Sequence, residues 1–408
     1  MLSILKYKYL TIDNIKLKGK KILLRVDFNS PIENDTIIKN SFRIRSHIET
    51  IKNLNGNKII LITHQGKPGK KNFISTYSHA KLLSKYLNRD IKYVDDIFGS
   101  FAKKTIKSMD NDDIILLENV RFYSEEMIIN NVQCQEKTFL VKNLSPLIDV
   151  YVNDAFSVSH RPHISVTGFS RIKPSLAGTL MKKDIENIQK IMEKNGQFVF
   201  SLGGSKVEDT INIIIKLIHK NKNNIFLLSG ILGNIALKAS NSNIKGINNI
   251  SKYYKYIKIM KYLLEKYPKN IYYPLDLALN DNGNRKEVFI EELNKFNLNI
   301  GDIGTETINQ YSNIIKNSDV SILNGPTGII EKKNFDIGTK SIIKASSFSE
   351  NSLISGGDIS NIIEYMDTIK KDNFSYISSG GKACLYYLSE SNLPGIKALE
   401  YFYNKEII

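Results

Sequence analysis

The sequence predicts an α/β protein made of two Rossmann-like domains, each built on a parallel sheet. At 408 residues the chain is longer than one ordinary hydrophobic core and suits two domains of about 200 residues each. Short β-branched runs alternate with segments of helical period along the whole chain, which is typical of parallel sheets covered by helices. Polar or glycine-rich residues follow these runs, so candidate ligand sites lie at the strand ends.

The β-branched runs are hydrophobic almost without a break. Strict alternation would indicate a half-exposed strand, whereas continuous hydrophobicity indicates a central strand that is covered on both faces. Helical period is visible over 78–88 and 209–220. The predicted strands are 21–29, 58–65, 113–121, 149–156, 197–204, 224–230, 320–325 and 352–357.

A long helix is predicted between the two halves of the chain. Pro174 is followed by a polar–apolar pattern over about 178–194, and we place the domain boundary just before it. Residues 1–172 then form the first domain and residues 173–392 the second. No internal similarity at the spacing of solenoid repeats is present, which excludes a repeat protein.

The composition is that of a globular protein, with 42% hydrophobic and 24% charged residues. No apolar run approaches the roughly 18 residues of a membrane helix. Lys6 interrupts the apolar stretch that a signal peptide would need. Cys134 and Cys384 lie far apart and belong to no Cys/His cluster. We therefore expect a cytoplasmic protein with no membrane partner.

A formal net charge of +16 raises the question of a nucleic-acid partner. The lysines are spread along the chain beside abundant asparagine and isoleucine, and no run of five or more basic residues occurs. Such a spread is typical of compositional drift. The sequence therefore predicts that nucleic-acid binding is not the main function.

Cationic side chains follow the predicted strands of the first half. Any single arginine is more often part of a surface salt bridge than of a binding site. Several arginines at neighbouring strand ends reverse that preference, because guanidinium groups match the geometry of phosphate and carboxylate. The first half is therefore predicted to bind a multiply charged anion. The candidates are Asp27, Asn29, Arg43, His64, Lys67, Arg121, Asp154, His160 and Arg161.

Glycines follow the predicted strands of the second half. One glycine-rich turn is weak evidence, since many tight turns use glycine only for its positive φ. Five such turns indicate backbone amides that approach phosphate at helix N-termini. None matches the P-loop or the complete dinucleotide fingerprint, which argues against a P-loop enzyme and an NAD-linked dehydrogenase. The turns are 202–206, 229–234, 324–328, 355–358 and 378–382.

An anion-binding half and a nucleotide-binding half joined by a helix predict phosphoryl transfer. That reaction needs exclusion of water, in-line geometry and neutralisation of charge by cations and helix termini. Closure of two domains is the usual way to meet these needs. We therefore expect the two sheets to face each other across a hinged cleft.

Seven motifs resemble the ordered signature blocks of the phosphoglycerate kinase family. They cover most of the chain, from about residue 20 to the closing LPGIKALEYF at 393–402, and THQGKPG, YVDDIFG and LLENVRFYSEE are most similar to its archaeal branch. The resemblance implies that the tail, 393–408, returns to the first domain. The motifs are RVDFNSP, HQGKP, LLENVRFYSEE, VNDAFSVSHR, LGGSKVED, NGPTGIIE and GGD.

The resemblance implies reversible, Mg²⁺-dependent phosphoryl transfer between ATP and 3-phosphoglycerate, a step of glycolysis and gluconeogenesis. We expect the protein to be a monomer. Arg43 would neutralise the reacting carboxyl and the transferred group, and Lys206 would contact the phosphoryl in flight. Gly356 and Gly357 would also take part in catalysis through their amides, and Asp358 would hold the metal. The implied acid-substrate residues are Asp27, Asn29, Arg43, His64, Lys67, Arg121 and Arg161. The implied nucleotide-binding residues are Gly203, Gly204, Ser205, Lys206, Gly233, Asn324, Pro326, Glu331, Gly357 and Asp358.

The chain departs from the family pattern at several positions near the implied sites. Losing a secondary cation would slow the reaction without abolishing it, because the central pair, Arg43 and Lys206, is intact. A weakly active relative retained as a nucleotide- or nucleic-acid-binding protein is the alternative. Structural roles are expected for Arg25, Glu118 and Asp154. The departures are Lys67, Thr210, Ser355, Ile359 and Lys382.

Overall fold

Two six-stranded sheets, one in each of two structural units, form the frame of the chain in a computed structural model. The structure describes residues 8–33, 36–37, 41–128, 131–204, 207–244, 247 and 250–407. The first unit combines residues 1–186 with 391–408, and the second spans 187–390. This division into compact units falls inside a helix, Thr179–Met192.

The sheet of the first unit is parallel throughout its described strands, in the order β5-β6-β4-β1-β7-β8. The first unit also contains a separate two-stranded antiparallel sheet, β2–β3. The strands are β1 (Lys21–Arg25), β2 (Ile32–Glu33), β3 (Thr36–Ile37), β4 (Lys58–Ile62), β5 (Lys92–Val94), β6 (Ile114–Leu117), β7 (Val150–Asn153) and β8 (Ser175–Ala177).

The second unit has a parallel sheet in the order β11-β10-β9-β15-β16-β17 and a three-stranded antiparallel sheet, β13-β12-β14. The strands are β9 (Phe198–Leu202), β10 (Ile225–Leu228), β11 (Ile271–Tyr272), β12 (Asp276–Asp281), β13 (Asn284–Phe289), β14 (Asn299–Ile303), β15 (Val320–Asn324), β16 (Asn351–Ser355) and β17 (Tyr376–Ser378).

Helices connect the strands of both sheets. Those up to the division are α1 (Phe42–Ser46), α2 (Ile48–Asn53), α3 (Tyr77–Leu87), α4 (Ser100–Lys107), α5 (Glu125–Ile128), α6 (Val132–Gln135), α7 (Phe139–Leu144), α8 (Ile164–Thr167) and α9 (Thr179–Met192). Those after it are α10 (Val207–Lys220), α11 (Gly230–Ser240), α12 (Tyr254–Lys266), α13 (Thr305–Lys316), α14 (Ile337–Ser346), α15 (Gly357–Glu364), α16 (Lys382–Glu390) and α17 (Pro394–Ile407). The 3₁₀ helices are Ile12–Asn14, Val120–Phe122, Ser145–Leu147, Phe156–Val158, Ser251–Tyr253, Ile290–Lys295 and Lys371–Asn373.

Both faces of the first sheet are covered, as its sequence predicts. In β1, Ile22 and Leu24 belong to one core cluster, while Leu23 between them belongs to another on the opposite face. All three side chains are fully buried. Because successive residues of a strand point to opposite faces, a doubly covered strand needs apolar residues at every position. The predicted α/β fold with two parallel sheets is confirmed.

Within the described residues, no helix combines the length and the apolar character required to cross a membrane.

Candidate active site

The carboxyl ends of four neighbouring strands, β6, β4, β1 and β7, deliver the candidate residues of the first unit. Parallel strands end at one edge of a sheet, so residues that directly follow them lie close together. Asp27 and Asn29 follow β1, His64 and Lys67 follow β4, Arg121 follows β6, and Asp154 and Arg161 follow β7.

Asp27 is the most heavily engaged carboxylate of this edge and is 3% exposed. It forms an ion pair with Arg43 on α1 and accepts a hydrogen bond from the Ser157 hydroxyl. Its own loop adds a bond from the Asn29 amide at 3.2 Å. Burial alone would raise the pKa of Asp27, but the Arg43 guanidinium holds it well below the usual value. Asp27 is therefore ionised and fixes the guanidinium of Arg43.

His64 is neutral and its tautomer is defined by Arg25. Arg25 lies at the end of β1, is fully buried, and places Nη2 3.2 Å from Nδ1 of His64. A guanidinium can only donate, so Nδ1 accepts and the proton of the neutral ring sits on Nε2. Burial lowers the pKa of His64 well below its usual value, against the opposing effect of Asp27. His64 can therefore donate a hydrogen bond from Nε2 to an acidic ligand.

Arg25 itself is anchored away from this edge. Its Nε donates to the Ser165 hydroxyl at 2.8 Å, and Ser165 in turn donates to the buried Glu126 at 2.6 Å. Arg25 also donates to the carbonyl of Val26. These bonds give Arg25 the structural role expected of it, with partners other than Asp27.

Arg121 is a buried cation with unused hydrogen-bonding capacity. It is 4% exposed, and its Nη1 donates to the carbonyl of Gly66. Its Nε and Nη2 are buried and have no hydrogen-bond partner in the described part of the chain. Burial lowers the pKa of Arg121 to about 10, and the charges of Arg161 and Arg25 act in the same direction. Two buried guanidinium nitrogens whose N–H groups are unpaired are a site for an anion.

The remaining acid-substrate candidates lie around the same edge of the first sheet. Arg161 is half-buried, and its Nε lies 3.1 Å from Nε2 of His160. Asn29 accepts a hydrogen bond from the amide of Gly66 at 2.8 Å, which ties the β1 loop to the β4 loop. Lys67 is exposed next to that glycine. The structure thus brings Asp27, Arg43, His64 and Arg121 into one bonded neighbourhood, while Arg161 borders it through its charge on Arg121.

A relay that the sequence analysis missed connects this site to helix α9. His47, which is 2% exposed, accepts a hydrogen bond from the Asp27 amide at Nε2, 3.0 Å away. Its Nδ1 lies 2.6 Å from Asp154, and the other oxygen of Asp154 accepts from the Leu180 amide at 2.9 Å. Asp154 therefore caps the first turn of α9, in agreement with the bracing role expected of it.

The glycine turns of the second unit pack main chain against main chain. The amide of Gly203 donates to the Asn324 carbonyl and that of Gly204 to the Pro326 carbonyl, both at 2.9 Å. A Cβ at Gly203 would collide with the Pro326 carbonyl oxygen, so only glycine fits there. Because both amides are already used, these two glycines shape the loops rather than offer free donors.

Asn324 links three of the glycine turns. Its Nδ2 donates to the carbonyl of Gly381 at 3.0 Å and lies 3.2 Å from the hydroxyl of Ser355. The hydroxyl of Ser355 also donates to Gly381 at 3.0 Å. Ser355, which stands where the family has glycine, thus fastens the ends of β15, β16 and β17 together.

The first turn of α15 lies at the carboxyl end of β16, and among the described residues the amide of Gly357 has no hydrogen-bond partner. Gly356 precedes the helix with φ of 113°, a conformation that favours glycine, and Gly357 is the first helical residue. The first N–H groups of a helix have no partner inside the helix and carry partial positive charge, so this turn suits phosphate oxygens. Asp358 is exposed in the same turn.

Asp358 is a single carboxylate, and the described residues contain no cluster of three or more potential metal ligands. This arrangement fits Mg²⁺ that arrives with a nucleotide, since that ion is commonly held by one or two carboxylates together with phosphates. It does not fit an ion held by the protein alone.

The other nucleotide-site candidates lie apart from this turn or outside the described residues. Gly233 is buried in α11, where a Cβ would lie 3.0 Å from the Leu228 carbonyl oxygen. Pro326 borders the β15 turn through its carbonyl bond to Gly204, and Glu331 is exposed farther along the same connection. Ser205 and Lys206 lie outside the described residues.

Lys382, which replaces a family glycine, is directed toward α10. Its Nζ forms an ion pair with Asp209, and the Tyr386 hydroxyl donates to the same carboxylate at 3.0 Å. The lysine is only 12% exposed. Its charge is therefore balanced within the fold.

Asp302 is a buried brace of the β15 loop that the sequence analysis missed. It accepts hydrogen bonds from the Thr327 hydroxyl at 2.8 Å and the Gly338 amide at 2.7 Å, and pairs with Arg285 at 3.1 Å. Burial raises the pKa of Asp302, against these bonds. Asp302 is hard to recognise from the sequence, because it lies within a strand, Asn299–Ile303, of a sheet that was not predicted.

The chain has two α/β units, each built on a parallel sheet. One unit has a buried cationic edge, and the other has helix N-termini lined by glycines. These features define a kinase that acts on a small anionic substrate. Comparison with known proteins assigns the family. The phosphoglycerate kinase family model matches residues 12–391. The chain belongs to the phosphoglycerate kinase family and is a phosphotransferase of glycolysis and gluconeogenesis.

Archaeal proteins are prominent among its relatives, as the sequence predicts. The phosphoglycerate kinase of Methanosarcina mazei is 46% identical over 403 residues, covering 97% of this chain and 96% of the relative. That of Saccharolobus solfataricus is 41% identical and covers 95% and 96%. The crystal structure of phosphoglycerate kinase from Pyrococcus horikoshii OT3 has a TM-score of 0.90 at 33% identity, covering 97% of this chain and all of that one.

Proposed function

We propose that the chain transfers the terminal phosphoryl group of ATP reversibly to the carboxylate of 3-phosphoglycerate, giving ADP and 1,3-bisphosphoglycerate. The observation that carries this proposal is Arg121, a buried guanidinium whose Nε and Nη2 have no partner in the described chain. An anionic substrate would supply the missing acceptors. Charge-assisted hydrogen bonds of this kind are among the strongest available to a binding site.

The acid substrate would be held by groups already oriented at the edge of the first sheet. Arg121 and Arg161 attract its negative charge, and Lys67 adds a further exposed cation. His64 donates from Nε2 to a substrate oxygen. Asn29 and Asp27 hold the two loops in place.

Arg43 is proposed as the catalytic cation of this unit. Asp27 fixes its guanidinium before substrate arrives. As the phosphoryl group moves, Arg43 neutralises the carboxylate and the oxygens of the group in transfer. A preorganised cation of this kind costs no reorganisation at the moment of reaction.

The nucleotide would bind at the glycine turns of the second unit. The free amides of the α15 first turn, at Gly357 and its neighbours, receive phosphate oxygens, and Gly356 gives the turn its shape. Asn324, Pro326, Gly203 and Gly204 maintain the loops around it. From the family pattern we assign contact with the transferred phosphoryl to Lys206, with Ser205 beside it, and nucleotide contacts to Gly233 and Glu331.

Asp358 would hold Mg²⁺ that enters with the nucleotide. The ion neutralises phosphate charge when it is bound. The exposed position of Asp358 in a helix first turn leaves room for phosphate ligands beside the carboxylate.

Transfer requires the two substrates to meet, although their sites belong to different units. We propose that residues 1–172 provide the acid-substrate domain, residues 173–392 the nucleotide domain and 393–408 a tail of the first. Closure would then exclude water and align the reacting groups. We further propose a cytoplasmic monomer in which nucleic-acid binding is not the main function.

A coupled assay tests the proposal. Protein, MgATP and 3-phosphoglycerate are incubated with excess glyceraldehyde-3-phosphate dehydrogenase and NADH. NADH oxidation should require both substrates and should disappear in Lys206→Ala but persist in Lys216→Ala, an exposed lysine paired with Glu390. Absence of oxidation from folded wild-type protein would contradict the proposal and favour the weakly active relative.

A further inference from the structure

Lysines occur along the whole chain, but one segment of the second unit is rich in both lysine and tyrosine. Residues 252–269 contain six lysines and five tyrosines but a single acidic residue, Glu265. They form a short 3₁₀ helix followed by α12. The expectation that the positive charge is spread without local pattern fails in this segment.

The exposed charges and exposed rings of α12 lie on one side of the helix. At about 100° per residue, its exposed positions fall within an arc of about 140°. The opposite side is anchored in the protein, with Met260 and Leu263 buried. The Lys–Tyr face consists of Tyr254, Lys255, Lys258, Lys261, Tyr262, Glu265 and Lys266.

The tyrosines of the Lys–Tyr face are unusually accessible for aromatic residues. Tyr254 is 64% exposed and Tyr262 is 55% exposed. Lys258 lies 5.0 Å from the ring centre of Tyr254, and Lys266 lies 5.1 Å from that of Tyr262. Each exposed ring therefore has a cation beside it, which combines a stacking surface with positive charge.

Few of these charges are neutralised by the protein. Lys261 pairs with Glu265 at 4.0 Å, and both side chains are about two-thirds exposed. Within the described residues, Lys255, Lys258 and Lys266 form no ion pair with a carboxylate. The Lys–Tyr face thus has a net positive charge that complements a polyanion.

The pattern distinguishes between classes of polyanion. A helix that lies on a membrane needs an apolar face to insert, but the apolar side of α12 is packed in the protein core. Duplex nucleic acid hides its bases in the stack, so exposed rings would gain little from it. Unpaired bases stack on aromatic side chains while lysines bind the phosphates between them.

We propose that the Lys–Tyr face of α12 binds single-stranded nucleic acid. Bases stack on Tyr254 and Tyr262, and Lys255, Lys258 and Lys266 contact phosphates. At 1.5 Å per residue the helix is about 20 Å long, which is enough for a short run of nucleotides. This activity is separate from the kinase reaction and uses none of the residues assigned to it.

The test is fluorescence anisotropy of the full-length protein with labelled 20-mers of dT, of rU and of mixed-sequence duplex DNA. The stacking variant is Tyr254→Ala/Tyr262→Ala. Its matched control is Tyr77→Ala, another exposed tyrosine with a lysine 4.4 Å from its ring centre. Kinase activity of each variant reports correct folding.

The stacking variant should bind dT20 and rU20 at least tenfold more weakly than wild type, whereas Tyr77→Ala should bind normally. Replacing Lys255, Lys258 and Lys266 by glutamine should make the log–log salt slope shallower by about two, since each phosphate contact on a single strand contributes about 0.7. Equal affinity of the stacking variant and wild type would overturn the proposal. So would tighter binding to duplex than to dT20.

Discussion

Arg121→Met should stabilise the substrate-free protein and at the same time abolish its binding of 3-phosphoglycerate. Methionine has a similar length and no charge, so it leaves the volume of the site nearly unchanged. The two effects have opposite signs because burial of the guanidinium destabilises the fold on balance, whereas its charge and unpaired N–H groups favour binding of the substrate. A residue with a purely structural role would not give this combination.

The size of both effects follows from the environment of Arg121. A pKa that falls from 12.5 to about 10 corresponds to about 3 kcal/mol against the charged form in the fold. Loss of the hydrogen bond to Gly66 offsets about 1 kcal/mol of this gain. The net gain of about 2 kcal/mol should raise the apparent Tm by about 4 to 8 °C in a unit of this size. Two lost charge-assisted bonds to substrate should weaken binding by about 10² to 10⁴-fold.

Thermal unfolding with and without 3-phosphoglycerate measures both quantities together. Wild type should gain stability from the ligand in proportion to the logarithm of its concentration, and Arg121→Met should gain none. The control, Arg89→Met, removes a half-buried arginine that donates to the Asp112 carbonyl. That variant should keep the ligand-induced shift and gain no stability. A Tm at or below wild type in Arg121→Met, with the ligand shift retained, would refute the reasoning.

Three further predictions concern residues of the first unit. Arg43→Ala should fold normally and lose about 10³-fold or more in kcat, measured in the coupled assay; near-normal turnover would contradict its catalytic role. His47→Phe removes the hydrogen bonds that connect the ring to Asp27 and to Asp154. The free energy of unfolding, measured in urea, should therefore fall by about 2 to 4 kcal/mol, and KM for 3-phosphoglycerate should rise. An unchanged KM would mean that the relay is only structural. Burial lowers the pKa of His79 to about 4, so His79 should by itself reduce stability by about 1.4 kcal/mol per pH unit as the pH decreases from 6.5 toward 4, because only the unfolded state binds its proton there. A His79→Leu variant should have a pH slope that is shallower by this amount, and a slope equal to that of wild type would refute this.

The central strands were predictable because burial on both faces leaves a continuous apolar run. All eight predicted runs contain strands, each ending one to four residues earlier than predicted, where the polar loop begins. Short edge strands such as β5 and β17 have only three residues each and too little pattern to recognise. The hairpin β12–β13 was missed although Asn282 and Gly283, both with positive φ, are a recognised turn signal. Its second strand has mostly exposed, charged residues, so hydrophobicity did not reveal it.

Part of the candidate site could be predicted from the sequence, because residues that directly follow neighbouring strands lie together at one edge of the sheet. Asp27, His64 and Arg121 share one sheet edge because β1, β4 and β6 are neighbours in a parallel sheet. The hydrogen-bond partners and side-chain direction of each group depend on residues that are distant in the sequence, so they could not be predicted from local pattern. His47 meets Asp154 across 107 residues of sequence, and nothing near either residue indicates the other. The direction of the Lys382 side chain likewise depends on Asp209, 173 residues away.

The relay through His47 has a consequence for how this family can diverge. The His47 ring accepts at Nε2 from the main-chain amide of Asp27 and donates at Nδ1 to the side-chain carboxylate of Asp154, so replacing Asp154 leaves a ring nitrogen unsatisfied in the core, and replacing His47 leaves the Asp154 carboxylate without this donor. Positions 47 and 154 should therefore change together among homologues. A lineage that loses the histidine should also carry a different group at the start of α9, and an alignment in which the two positions vary independently would show that the imidazole is dispensable.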